Sequence, residues 1–310
     1  MIPEPPAPLP GVPEKVRHAL FRSARFAAGC FSIFIAGSCI LSNSGAPQLP
    51  DGNGARLIHA KGKSTFMGSI DSLAALDRNG LTRVGFDYDF RMDSAEVTRK
   101  DFLSLMGRCP PAPPGSDTQQ NLPVTSVSWY DAILYCNRKS RNENRDTVYE
   151  CLSIRKSSTG STHSLGGLTY DLKRNGYRLP TEAEWEFAAR GPSRGEWVWG
   201  ENADSAKAAE FAWFSSNSNS QLHGIARKRA NGYGLYDLAG NAYEWVNDWL
   251  SPLPGGSVRD YAGGLSPNPE MEIPVKGGAY NYGLACLRVS NRSSTYPTIP
   301  STATPRKSLS

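Results

Sequence analysis

The chain has 310 residues and a mass of 33.7 kDa, enough to bury one large core or two smaller ones. Its 34 Lys and Arg against 29 Asp and Glu leave a net charge of +5 with no dense basic block, which argues against a dedicated nucleic-acid binder, whose charge would be gathered in a stripe. Thirty glycines, 23 prolines, 13 tyrosines and seven tryptophans describe a loop-rich fold and exclude a helical bundle.

Residues 1–14 are proline-rich and are not expected to form packed structure. Lys15, Arg17, Arg22 and Arg25 then precede the apolar run Phe26 to Leu41. That run is short of the roughly 20 residues a membrane span needs, and suits the apolar region of an export signal. Ile35-Ala36-Gly37-Ser38-Cys39 reads as a bacterial lipoprotein box with Cys39 as the lipidated residue. Ala27-Ala28-Gly29-Cys30 is a second candidate, and an uncleaved signal anchor is the alternative to both. The expected organisation is a leader over 1–41, a flexible tether over 42–61 and a folded domain over 62–310, at the envelope of a bacterial cell.

With Cys30 and Cys39 in the leader, Cys109, Cys136, Cys151 and Cys286 remain. Four cysteines allow two disulfides in three connectivities, and an exported domain favours them. Cys136 and Cys151 flank a helix end and a short polar loop, a pair that can be bridged if the Cα atoms come within about 7 Å. There is no CxxC, and His18, His59, His163 and His223 are scattered singly, so neither a zinc site nor a Cys/His nucleophile pair is expected.

In the domain, Thr65-Phe66-Met67-Gly68 reads as a strand end, and Phe86 to Phe90 alternates apolar and acidic residues as a half-buried strand does. Three helices start alike at Thr98, Ser128 and Thr181, each hydroxyl followed three residues on by Asp101, Asp131 or Glu184. Gly107 and Gly191 stop the first and third. Between the second and third helices, Asn142 to Asn175 is polar, with a short strand at Tyr170-Asp171-Leu172. Beyond Gly200 the chain reads as mostly irregular, with late strands at Val275 to Tyr280 and Arg288 to Arg292, and a loose polar tail from Thr295.

The stretch from Ala230 to Trp249 packs three turn signals and five aromatics into twenty residues. Asn231-Gly232 marks a tight turn. Asp237 and Glu244 offer carboxylates, with the carbonyls of Gly240 and Ala242 between them. In an extended chain positions 240, 242 and 244 point the same way, an oxygen spacing that suits Ca²⁺. A buried aromatic turn whose carboxylates cap backbone amides explains the same residues.

Two longer runs carry a resemblance. Gly176-Tyr177-Arg178-Leu179-Pro180-Thr181-Glu182-Ala183-Glu184-Trp185-Glu186-Phe187-Ala188-Ala189-Arg190-Gly191 and the run Asn231 to Trp245 resemble the signature of the formylglycine-generating enzyme (sulfatase-modifying factor) family. Met67-Gly68, Glu96-Val97-Thr98, Pro123 to Trp129, Lys276-Gly277-Gly278, Arg288 and Arg292 fall in the family's order, so the resemblance covers residues 62 to 293. It implies an irregular α+β fold, C-type-lectin-like, with little regular secondary structure and bound calcium. Asp237, Gly240, Ala242 and Glu244 match one family calcium site. A second would lie near Phe211 to Asn219, where no ligands can be assigned.

The family's enzymes oxidise a sulfatase cysteine to formylglycine with O₂ and a copper(I) ion held by two cysteines, since soft thiolates select Cu(I). Here Gly277 to Arg288 offers Cys286 alone, and aligning Arg288 with the family's arginine moves Cys286 off the metal positions. The resemblance therefore implies that copper is not bound and formylglycine is not made. The expected role is a calcium-stabilised binding or assembly module in an envelope lipoprotein, anchored to the membrane by its lipid and holding a protein or glycan ligand, with no nucleic acid. The alternative is an oxidoreductase of this class acting on a protein or small thiol, with Cys286 as the catalytic residue beside Tyr280 and Tyr282.

Overall fold

Helices form where a side-chain oxygen can take the amides that a first turn leaves orphaned. Helix α1, Arg99–Met106, is capped by Thr98, which accepts from the Asp101 amide at 3.0 Å, and stops at Gly107 in the left-handed conformation. Helix α2, Trp129–Asn142, is capped by Ser128 through the Asp131 amide at 3.0 Å. Helix α3, Glu182–Arg190, has a full capping box: the Glu184 amide donates to Thr181 Oγ1 and the Thr181 amide donates to Glu184 Oε2. A fourth, α4, spans Ser205–Phe211 behind the Asp204 cap, in the part of the chain expected to be irregular. This computed structural model describes residues 40–42, 54–68, 81–113, 121–193, 195–264 and 271–298. All belong to one unit, Ser32–Ser301. Among the described residues no helix is long and apolar enough to cross a membrane. Cys30 and Cys39 lie outside them, as does the leader up to residue 39.

The strands are short and gathered into small sheets. In chain order they are β1 (Ile40–Ser42), β2 (Arg56–Ile58), β3 (Ser64–Met67), β4 (Thr82–Gly85), β5 (Phe90–Met92), β6 (Tyr149–Glu150) and β7 (Ser153–Lys156). There follow β8 (Thr162–Gly166), β9 (Thr169–Tyr170), β10 (Tyr177–Arg178), β11 (Glu244–Trp245), β12 (Gly256–Arg259), β13 (Ile273–Lys276) and β14 (Ser293–Thr295). One sheet runs β10-β1-β5-β2, a second β12-β4-β3 and a third β11-β13-β14; β6 pairs with β9 and β7 with β8. The β12–β4 pair is parallel, with Gly256 opposite Thr82. Ordered pairing thus begins N-terminal to Gly62, because Arg56, Leu57 and Ile58 stand opposite Met92, Arg91 and Phe90.

Several expected elements come out differently. Phe86 to Phe90 is no single strand: β4 ends at Gly85 and β5 starts at Phe90. Of the acids between them, Asp89 accepts from the Lys61 amide at 2.8 Å and Asp87 pairs with Arg259, while the Asp87 amide donates to Asp260 at 2.9 Å. Strand β13 ends at Lys276 because Gly277 and Gly278 both take positive φ, 87° and 79°. Arg288 to Arg292 forms turns after the short 3-10 helix Leu284–Leu287, and the strand follows at β14. Cys136 is buried in the core from α2, Cys151 is half-buried ahead of β7, and both are free thiols, so the expected bridge is not formed.

Apolar residues pack in two clusters, one around Trp129, Trp245 and Trp249, the other around Phe86, Trp185 and Trp199. Every residue of α3 is buried, its three glutamates included. Burying a carboxylate costs several kcal/mol unless it is paired with good geometry, and each of these is paired. Glu184 accepts both guanidinium nitrogens of Arg178 at 2.7 Å. Arg292 bonds both oxygens of Glu182, at 2.8 and 3.0 Å, and Lys276 donates to Glu186 at 2.8 Å. Burial alone would raise Glu184, yet the Arg178 guanidinium holds its carboxyl below the usual range.

Candidate functional site

The turn from Ala230 to Trp249 is docked on α3 by its second residue. Asn231 accepts from the amides of Tyr233 and Leu235 and donates to the carbonyls of Ala188 and Ala189. Gly232 is needed at this approach, since a Cβ there would sit 2.7 Å from Pro192 Cδ. Downstream, Asp237, Gly240 and Asn241 have φ of 57°, 77° and 54°. The chain is therefore coiled over the segment expected to be extended, and the alternation of positions 240, 242 and 244 does not hold. A Cβ on Gly240 would fall 2.0 Å from the Trp213 carbonyl oxygen, which accepts from the Asn241 amide at 2.8 Å. Only Glu244–Trp245 is strand, with Glu244 opposite Lys276.

This coil brings carboxylates together inside the protein. Asp237 is 3% exposed, and its Oδ2 accepts from the Ala226 amide at 2.6 Å. Burial pushes its pKa up to about 6. Glu244 is 1% exposed and accepts from Trp185 Nε1 at 3.0 Å, tying the turn to α3. A third acid joins them from far away in the chain. Glu96, 2% exposed, accepts from Asn241 Nδ2 at 2.7 Å and from the Ala242 amide at 3.0 Å. Burial first, then the charges of Asp237 and Glu244, raise its carboxyl well above the usual value.

Among the described residues neither Glu96 nor Asp237 has an ion-pair partner. Buried negative charge without a cation is what a bound hard cation would offset. No three Cys, His, Asp or Glu side chains converge on one point among the described residues. A calcium ion here would therefore need main-chain oxygens as well as carboxylates. In Phe211 to Asn219 two polar side chains serve the main chain: Asn217 accepts from the nearby Phe214 amide at 2.9 Å, and Ser218 donates to the distant Tyr280 carbonyl at 2.7 Å.

Cys286 lies in the 3-10 helix Leu284–Leu287, half-buried. The Gly277–Gly278 turn closes on it; a Cβ on Gly278 would meet the Cys286 carbonyl oxygen at 3.0 Å. Around the thiol stand Tyr243 and Tyr282, their rings 5.2 Å apart at 71°. Tyr280 is bound to the carboxylate turn, its amide donating to the Asn241 carbonyl at 2.9 Å. Burial pushes the Cys286 thiol up, the nearby Tyr243 hydroxyl lowers it, and burial is the larger effect. Tyr282 is pushed up to about 12, by burial and then by Cys286 and Tyr280. The thiol is thus neutral at physiological pH, not primed as a thiolate.

Cys286 and Tyr280 both lie near enough to Tyr282 to act on it, and Asp237 and Glu244 are both buried in the turn. Two members were missed. Glu96 was legible only as part of a family motif, since its contact to Ala242 spans 146 residues. Tyr243 was read as an aromatic of the turn rather than as the neighbour of Cys286.

The geometry defines an α+β domain of short sheets in which a buried, acid-rich helix holds a glycine-kinked carboxylate turn. Residues 52–304 match the Sulfatase-modifying factor enzyme 1-like domain, and the chain belongs to that family. Chaperone protein LppX of Paenibacillus barcinonensis is 33% identical over 184 residues, 53% of this chain and 63% of that protein. Inactive C-alpha-formylglycine-generating enzyme 2 of Mus musculus is 30% identical over 206 residues, 59% of this chain and 54% of that one. The chain thus matches between about half and two thirds of the length of these relatives. Among solved structures, Treponema denticola variable protein 1 superimposes with a TM-score of 0.64 at 29% identity, covering 78% of this chain and 89% of that one.

Proposed function

We propose that this is a formylglycine-generating-enzyme-like domain without copper chemistry, a calcium-stabilised binding or assembly module at a bacterial envelope, exported and lipid-anchored through Cys39. The observation that carries the reading is the solitary thiol. A two-thiolate Cu(I) site needs two soft ligands, whereas the run from Gly277 to Arg288 holds Cys286 alone and its neighbours are Tyr243 and Tyr282. The residues do not fit that copper site. Two relatives agree in kind, one being named a chaperone and the other an inactive enzyme. Asp237, Glu244 and the carbonyls of Gly240 and Ala242 would hold the calcium, whose charge would offset the buried carboxylates and fix the turn. The architecture is C-type-lectin-like in this reading, and the ligand is a protein or glycan.

A second reading draws on the juxtaposition of Cys286 with Tyr243 and Tyr282, which suits an oxidoreductase acting on a thiol. One experiment separates the two. Purified protein is incubated with Cu(I), O₂, a reductant and a peptide carrying a Cys-x-Pro-x-Arg motif, and the expected outcome is no aldehyde by mass spectrometry. Copper-dependent conversion that disappears in Cys286→Ser would overturn the binding-module reading.

A further inference from the structure

A groove of about 720 Å³ opens on the α2 side of the molecule, away from Cys286 and the carboxylate turn. Two sequence periods build its walls. On α2, Leu134, Arg138 and Arg141 recur at helical spacing and share one face. Opposite them Leu152, Ile154 and Lys156 alternate along β7 and its lead-in residue, and so share one face of the β7–β8 hairpin. Leu152 is 92% exposed and Ile154 49%. Each wall therefore presents aliphatic carbon beside positive charge.

The charges in the groove are unequal in a way that matters. Its acids are already satisfied: Asp131 accepts from Arg108 at 2.5 Å and from Thr162 Oγ1 at 2.6 Å, and Glu150 is paired with Arg174. The Arg138 guanidinium is steadied at the rim by donating to the Leu105 carbonyl at 2.8 Å. Among the described residues Arg138, Arg141 and Lys156 make no ion pair. The groove thus offers cations whose carboxylate partners must come from outside, beside the exposed Leu152 and Ile154 and the half-buried Leu134.

We propose that this groove docks an acidic segment of a partner protein, with carboxylates on Arg138, Arg141 and Lys156 and an aliphatic side chain between Leu134 and Ile154. The proposal rests on the binding-module reading for the existence of a partner, and adds where it sits and what chemistry it carries. A nucleic acid would meet the same cations but has nothing to place between Leu134 and Ile154.

The test is selection of binders from a phage-displayed random peptide library on the immobilised full chain, followed by fluorescence anisotropy with the enriched peptides. Enriched peptides are expected to combine Asp or Glu with Leu, Ile or Val. The pair R141E and K156E should weaken them by about tenfold or more, and Ile154→Ser should weaken them several-fold. Arg155→Glu, on the opposite face of β7, should leave affinity within about twofold, a surface change far from the contact. All four positions are exposed or partly exposed, so the variants keep the fold. Peptides that retain affinity in R141E/K156E would overturn the groove while leaving a binding module intact. Failure to enrich any peptide would also overturn it, with the copper assay deciding the module separately. Equal displacement of the peptide by mixed-sequence single-stranded DNA, or equal loss in Arg155→Glu, would mean that charge alone is read, and would likewise overturn it.

Discussion

At the scale of single residues, the buried acids divide by whether a cation answers them. Asp248 is fully buried; its Oδ2 accepts from the Glu182 amide at 2.8 Å, while Oδ1 has no hydrogen-bond partner among the described residues. Burial, then the Glu182 charge, raises its carboxyl well above the usual value. In the unfolded chain this group is ionised above a pH of about 4, so folding at neutral pH must carry a proton or bury a charge. Its contribution to stability is therefore greatest at low pH and falls as pH rises toward the folded-state value. Asp248→Asn keeps the acceptor for the Glu182 amide and removes that linkage. We expect it to stabilise the protein at pH 8 by about 1–2 kcal/mol, with the gain shrinking as pH falls. Comparing variant and parent at each pH by denaturant titration cancels the salt-bridged acids. A gain that does not vary with pH would contradict the assignment.

At the scale of elements, α3 is held by charge inside a hydrophobic surround, a different arrangement from the amphipathic helix whose polar face meets water. Lys276, buried on β13, donates to Glu186 at 2.8 Å and approaches Glu182 at 3.4 Å. Replacing it strands negative charge where water cannot follow. Lys276→Met should cost about 3–5 kcal/mol, whereas Arg229→Ala, which breaks the exposed pair with Glu210, should cost less than about 1 kcal/mol. Equal losses for the two in urea unfolding would remove the distinction. The helices were legible because their caps are local: Thr98, Ser128 and Thr181 each act on an amide three residues away. Phe86 to Phe90 was misread because alternation records which side chains are apolar and cannot show that Asp89 reaches back to the Lys61 amide. Helix α4 was missed because its Asp204 cap lacks the acid three residues on that marked the other three.

At the scale of the whole molecule, the carboxylate turn is a crossing point. The Gly240 amide donates to the Gly277 carbonyl, Trp185 reaches Glu244, and Glu96 reaches Asn241 and Ala242. If calcium occupies this point in the native state alone, linkage stabilises the fold by about 2.7 kcal/mol at a hundredfold excess over Kd. Chelator should then lower the melting temperature by several degrees, and Glu244→Gln should abolish the response. A melting temperature unmoved by calcium in protein stripped of metal would rule this out. Asp237 and Glu244 could be picked out in the sequence because they lie seven residues apart, but that their charges reach Glu96 is a property of the closed chain. The parallel pair β4–β12 has a further consequence, for the order of events in folding. Thr82 faces Gly256 and Gly85 faces Arg259, so that sheet cannot close until nearly the whole domain has been synthesised, and closing so long a loop is slow. In a chain wired this way the third strand of that sheet docks only after the segment to Arg259 has emerged, although β3 and β4 can pair long before.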